Sequence, residues 1–140
     1  MNRTPVDLEA LRRDWDANRE KFVAYLDMRL ESIEPGKAVL RLPFREEMTN
    51  EFGAFHGGAI VSLCDTAFYL AVASVYGRDQ ASVTSGITCN FLAAARPPHD
   101  VIAHACVLKA GRRMVFGEVS VYSGERLVAH ATLNFDNTSR

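Results

Sequence analysis

The sequence predicts an α+β domain in which a curved, mostly antiparallel sheet wraps one long apolar helix, with an extra helix at the N-terminal end. Three observations carry this. One helix-length apolar stretch runs from Gly57 to Tyr76, two alternating segments precede it, and four follow it. Strands gathered around a single helix belong to α+β architecture, not to the alternating parallel class. A helix that is apolar on nearly every side has to be wrapped, and a curved sheet is the wrapper these segments can build.

The first element is a helix from about Val6 to Tyr25. Leu8, Leu11, Trp15, Phe22 and Leu26 recur near a seven-residue rhythm with charges between them, one apolar stripe that packs on the outside of a domain. A hairpin follows. Met28 to Ile33 alternates, Pro35-Gly36 fits the central pair of a type II turn, and Lys37 to Leu42 alternates again before Pro43. The polar stretch from Arg45 to Phe55 is a loop. The long helix opens at Gly57-Gly58 and closes at Gly77. Next, Val83, Ile87, Cys89 and Phe91 are expected on one strand face, with Thr84, Gly86, Thr88 and Asn90 on the other. Arg96-Pro97-Pro98 breaks that run. Val101 to Lys109, Arg113 to Tyr122 and Leu127 to Phe135 are the last strands, turned at Gly111 and Ser123-Gly124. No repeat or linker appears. Residues 1–140 are therefore read as one domain, 1–26 the N-terminal helix and 27–136 the core.

Composition removes several function classes. Sixteen Lys and Arg against seventeen Asp and Glu leave a formal charge of −1. Without a surplus of cations, neither nucleic acid nor an anionic membrane is an expected partner. Cys64, Cys89 and Cys106 are scattered, form no C-x-x-C pair and lack histidines at zinc spacing, so no metal site is expected and a reducing compartment is. Residues 1–20 mix both charge signs without an apolar core, unlike a signal peptide. The apolar stretch is interrupted by Ser62, Asp65, Thr66, Tyr69 and Ser74, unlike a membrane span. The expected location is cytoplasmic. There is no G-x-S-x-G, P-loop or G-x-G-x-x-G to point to serine hydrolases or nucleotide enzymes.

The chemistry concentrates on the long helix. Ser62, Asp65, Thr66 and Tyr69 stand at offsets of three, four and seven and form one polar stripe on an otherwise apolar rod. An ionised carboxylate there is expensive to bury, so Asp65 is either held in a structural network or functional. Gly57 and Gly58 stand at the helix N-terminus, where unpaired N–H groups and the positive end of the dipole suit an oxyanion. The same pair also suits a plain tight turn. Gly57 and Asp65 are eight residues apart, about 12 Å along a helix axis. They cannot reach one carbonyl from the same chain. If both serve one reaction, two antiparallel helices of a twofold homodimer must build the site.

The run Asn50-x-x-Gly53-x-x-His56-Gly57-Gly58, with Asp65 seven residues later, resembles the hotdog-fold thioesterases of the phenylacetic-acid-degradation (PaaI-like) type. Val83-Thr84 entering a strand, Phe91-Leu92 further along it and Gly111-Arg112 at a turn agree, and the likeness spans about Leu26 to Phe135. The resemblance implies hydrolysis of an acyl-CoA thioester, with Asp65 activating water or attacking directly. It implies a Gly57 N–H that polarises the carbonyl, a loop shaped by Asn50 and His56, and a Thr84 that helps place the water. It implies that Gly111, Arg112 and Arg113, with Lys109, meet the phosphates of coenzyme A. It also implies a homotetramer built from such dimers, with no cofactor, coenzyme A entering only as part of the substrate. One departure stands out. Family members often have a proline soon after the Phe91-Leu92 position and a glycine in the next turn, whereas this chain reads Ala93-Ala94-Ala95-Arg96-Pro97-Pro98-His99-Asp100.

Cys64 sits among apolar helix residues and is expected to be inert packing, not a nucleophile. His104 and His130 lie on strands and lack an acidic partner at metal spacing. Phe52, Phe55, Phe68 and Tyr69 suit an acyl pocket or a core equally well. Two rival functions remain: a same-fold acyl-thioester hydratase or dehydratase using His56 and Asp65, and a non-catalytic acyl-CoA-binding module.

Overall fold

The structure, a computed structural model, describes residues 3–19 and 21–138. Glu20, part of the expected first helix, and the terminal pairs 1–2 and 139–140 of the expected domain lie outside the described residues. Helix α1 (Leu8–Asn18) starts at Asp7, whose carboxylate accepts from the Ala10 N–H at 3.0 Å, and buries Leu11 and Trp15. The expected single helix to Tyr25 is corrected here. It breaks after Asn18, and a short α2 (Lys21–Tyr25) follows. The Asn18 side chain folds back onto the Asp14 carbonyl (3.0 Å) and carboxylate (2.8 Å). Arg19 is extended, its guanidinium donating to the Met28 carbonyl at 2.6 Å, and Lys21 takes φ 56°. The elbow leaves Phe22 58% exposed, whereas Val23 packs against the core.

Strands β1 (Arg29–Glu34) and β2 (Lys37–Leu42) form the hairpin, with Gly36 at the φ of 77° that its turn position requires. The loop after it holds a 3-10 turn, Glu46–Met48, and a bridge between Thr49 and Phe55. Helix α3 (Gly57–Tyr76) then runs twenty residues to Gly77, whose N–H bonds the Ala73 carbonyl at 2.8 Å. Strands β3 (Ala81–Phe91), β4 (Val101–Ala110), β5 (Met114–Ser123) and β6 (Arg126–Thr138) complete one antiparallel sheet in the order β1-β2-β4-β5-β6-β3. This is the hotdog arrangement.

Length and composition alone would let α3 cross a membrane. In this fold its apolar side chains are the core: Leu63, Cys64, Ala67, Phe68, Leu70, Ala71 and Val72 are fully buried against the sheet. Phe68 meets Phe135 edge-on at 5.0 Å between centroids. A Cβ on Gly117 of β5 would lie 2.2 Å from Phe68 Cε1 and 2.3 Å from the Cys106 carbonyl oxygen. Gly117→Ala is therefore expected to cost about 2–3 kcal/mol through overpacking, read as a lower urea midpoint.

The terminal strand of the sheet, β3, differs from strict alternation. The register of β3 on β6 shifts between Thr84 and Gly86. Thr84, Ile87, Cys89 and Phe91 pair with Phe135, Leu133, Ala131 and Ala129, all buried inner-face residues. Paired residues share a face, so the bulge brings Thr84 onto the inner face, opposite to the expected alternation. That one extra residue aims Thr84 at α3.

Candidate active site

The N-terminus of α3 exposes one backbone donor. His56 is the cap: its Nδ1 accepts from the Gly58 N–H at 2.8 Å, and its carbonyl accepts from Ala59 and Ile60 at 3.0 and 3.2 Å. An Nδ1 that accepts leaves the ring proton on Nε2. Gly58 admits this cap because a Cβ there would lie 3.0 Å from that nitrogen. Of the four N–H groups in the first turn, only that of Gly57 has no hydrogen bond among the described residues. It lies beside the ring of Phe91, whose Cζ would be 3.2 Å from a Cβ on Gly57. Asn50 organises the preceding loop. Its Oδ1 accepts from the Phe52 and Ala54 N–H groups at 2.9 and 3.2 Å, and its own N–H bonds the Ala54 carbonyl at 2.7 Å.

Two turns further along α3, Asp65 is half-buried, and its Oδ1 accepts from the Thr84 hydroxyl at 2.5 Å. It opens onto a cavity of about 410 Å³, walled by Thr66, Tyr69 and Arg78, by Val83 and Thr84 of β3, and by Trp15 and Val23 from the N-terminal helices. A second groove of about 200 Å³ runs past His56, Gly58 and Ser62 beneath Phe22 and Leu26. Both grooves lie along the polar stripe of α3, with Trp15 of α1, Phe22 and Val23 of α2, and Leu26 in their walls. The structure thus brings Asp65 and Thr84 together, and Asn50, His56 and Gly57 together, as two half-sites on one helix. Eight residues of helix keep the halves about 12 Å apart.

Cys64 is buried against Cys89, and the hydrogen bond to that neighbour, then burial, push its thiol well above the ordinary range; Cys89, accepting from it, is lowered to about 7. The carboxylate of Asp65, not the adjacent thiol, is the group that opens onto the cavity. His104 and His130 occupy one row of the sheet with Ser120 between them. Of the four aromatic candidates for a pocket, Tyr69 alone lines the Asp65 cavity; Phe55 and Phe68 are core, and Phe52 is 72% exposed. Trp15 and Val23 are cavity residues that sequence reasoning missed. The stripe that includes Trp15 carried a packing signal only and left Val23 out, and the change of direction between the two helices is made at Arg19 and Lys21.

The basic turn lies near the C-terminal end of α3. Gly111 donates to the Met114 carbonyl at 3.0 Å, and its carbonyl accepts from the Tyr76 hydroxyl. Arg112 and Arg113 line a cavity of about 910 Å³ there, together with the carboxylates of Asp79 and Asp136; the Arg113 Nε donates to Asp136 at 3.2 Å. Lys109 is exposed on the β4 strand leading into the turn.

Comparison with known proteins identifies the family and agrees with the fold. Residues 52–130 match the family model described as the Thioesterase superfamily. The chain is 36% identical over 94 residues to a putative esterase of Pseudomonas aeruginosa, covering 67% of this chain and 70% of that protein. It is 32% identical over 93 residues to human acyl-coenzyme A thioesterase 13, covering 66% and 65%. A mutant of the phenylacetic acid degradation protein PaaI from Thermus thermophilus superposes with a TM-score of 0.76 at 26% identity, covering 84% of this chain and 98% of that one. A cavity-facing carboxylate and a lone helix-cap donor, held on a helix wrapped by this sheet, thus occur in a chain that belongs to the Thioesterase superfamily as a PaaI-like hotdog protein.

Proposed function

We propose that the chain hydrolyses an acyl-CoA thioester, in a site that two copies build together. The observation that carries this reading is the pairing of two half-sites on one helix face: an Asp65 carboxylate opening onto a cavity, and a single open donor at Gly57. In an antiparallel pair of α3 helices each Asp65 comes level with the other copy's Gly57. Water attacks the carbonyl carbon while Asp65 takes its proton, the Gly57 N–H receives the developing oxyanion, and the C–S bond breaks. The proton on Asp65 then goes to the departing thiolate. A human acyl-coenzyme A thioesterase among the relatives supports the substrate class.

The edge of the sheet supports the pairing. β3 is the terminal strand, eleven residues long, and exposes Val83, Ile87 and Phe91. A long apolar edge invites another strand, and a second β3 running antiparallel would close it. The same twofold axis carries the partner's Gly111 turn, tied by Tyr76 to the end of its α3, beyond the Gly57 end of the first copy. The Asp65-to-Tyr76 span of helix is about 16 Å. Lys109, Gly111, Arg112 and Arg113 would there meet a phosphate of the coenzyme. The expected homotetramer concerns how such dimers associate and leaves the site unchanged.

Release of free thiol from a panel of short, medium, long and aromatic acyl-CoAs tests the reading. A new product with the thioester intact would favour a hydratase, and a raised melting temperature with no thiol would favour a binding module. His56 weighs against the hydratase, since its Nδ1 is committed to the helix cap. Thr84→Val should lower kcat about tenfold or more with little change in KM, because a hydrogen bond to a charged group is worth ~1.5–3 kcal/mol. Full activity in that variant would remove Thr84 from the mechanism.

A further inference from the structure

All three cysteines are free thiols, and two of them meet. Cys64 is fully buried on α3, immediately before Asp65. Cys89 lies on the inner face of β3, opposite the buried Ala131, and packs against the core. The Cys64 thiol donates a hydrogen bond to the Cys89 sulfur, so one contact joins the central helix to the terminal strand. Cys106 stands apart from this pair. It lines a groove on the outer side of the sheet with Lys37 and Glu118, and its thiol donates to the Val107 carbonyl at 3.7 Å.

The two sulfurs of the pair are not equivalent. Its hydrogen bond to Cys89, its burial and the nearby charge of Asp65 keep Cys64 protonated. Cys89 is only half-buried, and accepting that bond lowers it to about 7 against the opposing effect of its own burial. A thiolate is therefore present at neutral pH on the more open sulfur, with a second thiol in contact behind it. Oxidation-sensitive pairs have this arrangement: an attacking thiolate beside a resolving thiol. The hydrolytic mechanism uses neither sulfur.

We propose that Cys64 and Cys89 form a thiol oxidation site for hydroperoxides, whose product is a disulfide tying α3 to β3, and that this bond suppresses turnover. The Cys89 thiolate attacks one peroxide oxygen and the O–O bond breaks. The other oxygen takes a proton from solvent and leaves as water or an alcohol, and Cys89 becomes a sulfenic acid. The Cys64 sulfur then attacks the Cys89 sulfur, the S–O bond breaks, and the hydroxyl leaves as water with the Cys64 proton. The two sulfurs together give up one electron pair, and the peroxide takes it. A dithiol reverses the step. The bond falls between the two half-sites. Cys64 adjoins Asp65, Thr84 holds Asp65 from five residues before Cys89, and Phe91, two residues after it, lies against Gly57. Closing the sulfurs from contact to a bond of about 2.05 Å pulls β3 onto α3 between these positions. A misplacement of about 1 Å in a site costs on the order of 100-fold in rate. The disulfide itself does not depend on the acyl-CoA reading; its effect on turnover does.

The test treats the full chain, carrying Cys106→Ser so that one bridge alone is possible within a copy, with hydrogen peroxide at neutral pH. Free thiols are then alkylated, and the chain is weighed and run on a non-reducing gel. The chain should lose two hydrogens, migrate as a monomer and yield a fragment linking residues 64 and 89. Acyl-CoA hydrolysis should fall at least tenfold in step with that product, and dithiothreitol should restore both. Cys64→Ala and, on the half-buried partner, Cys89→Ser should each form no bridge and escape the reversible loss; the second variant serves if the first folds poorly. Two thiols still open to alkylation after peroxide overturn the site, as does a Cys89–Cys89 bridge between copies. A bridge with undiminished turnover overturns the suppression. A bridge in a chain that hydrolyses no acyl-CoA supports the oxidation site and overturns the hydrolase reading.

Discussion

Asp65→Asn is expected to lower kcat for acyl-CoA hydrolysis by about a thousandfold, within the 10²–10⁴ range of a positioned base. The substitution changes little else. Asparagine keeps the shape and an amide oxygen that can accept from the Thr84 hydroxyl, now 2.5 Å from Asp65 Oδ1. It also removes an ionised group from an apolar helix, so stability should be equal or higher. KM should stay within a few-fold, and the melting temperature and elution volume should match the wild type. Rates within a few-fold of wild type would show that this carboxylate does not act on the reacting atoms.

The second large effect is expected at Gly57, where proline removes the N–H and little besides. Gly57 is the first residue of α3, the helical position that proline tolerates best, because its donor has no partner within the helix. His56 before it already has φ −63° and ψ 135°, the conformation a residue before proline adopts. The added ring carbons crowd the Phe91 ring, whose atoms lie 3.2–3.8 Å from a Cβ at this position. Loss of one oxyanion donor costs about 10²–10³ in kcat. Gly57→Ala introduces the same crowding but keeps the N–H, so the proline variant should be at least tenfold slower than the alanine one. Equal rates in the two would assign the effect to crowding.

The central helix was the most legible part of the chain, for physical reasons. Mostly apolar residues from the Gly57-Gly58 pair to Gly77 mark a single helix, and the stripe of Ser62, Asp65, Thr66 and Tyr69 is a direct consequence of helical period. The hairpin at Pro35-Gly36 was legible because Gly36 needs its positive φ. The strand order was not, since pairing β3 with β6 rather than with its neighbour β4 is decided by how the sheet closes over α3. The bulge beside Thr84 was marked only by Gly86, a lone glycine inside the strand, which the alternation overrode, and it reverses which face Thr84 takes. The elbow after Asn18 was equally hidden. It contains no proline or glycine and is held by bonds to the chain beyond α2, such as Arg19 to the Met28 carbonyl. That elbow places Trp15 and Val23 in the wall of the Asp65 cavity, a position no periodicity in the N-terminal segment foretells.

Subunit mixing tests the shared site most directly. Asp65→Asn and Gly57→Pro chains, each nearly inactive alone, are unfolded together, refolded at equal ratio and assayed. A mixed dimer joins the intact Gly57 of one chain to the intact Asp65 of the other, restoring one of its two sites. Random reassortment then returns about a quarter of wild-type activity. Activity that stays at the level of the separate variants would mean that one polypeptide supplies both groups, contrary to the 12 Å of helix between them.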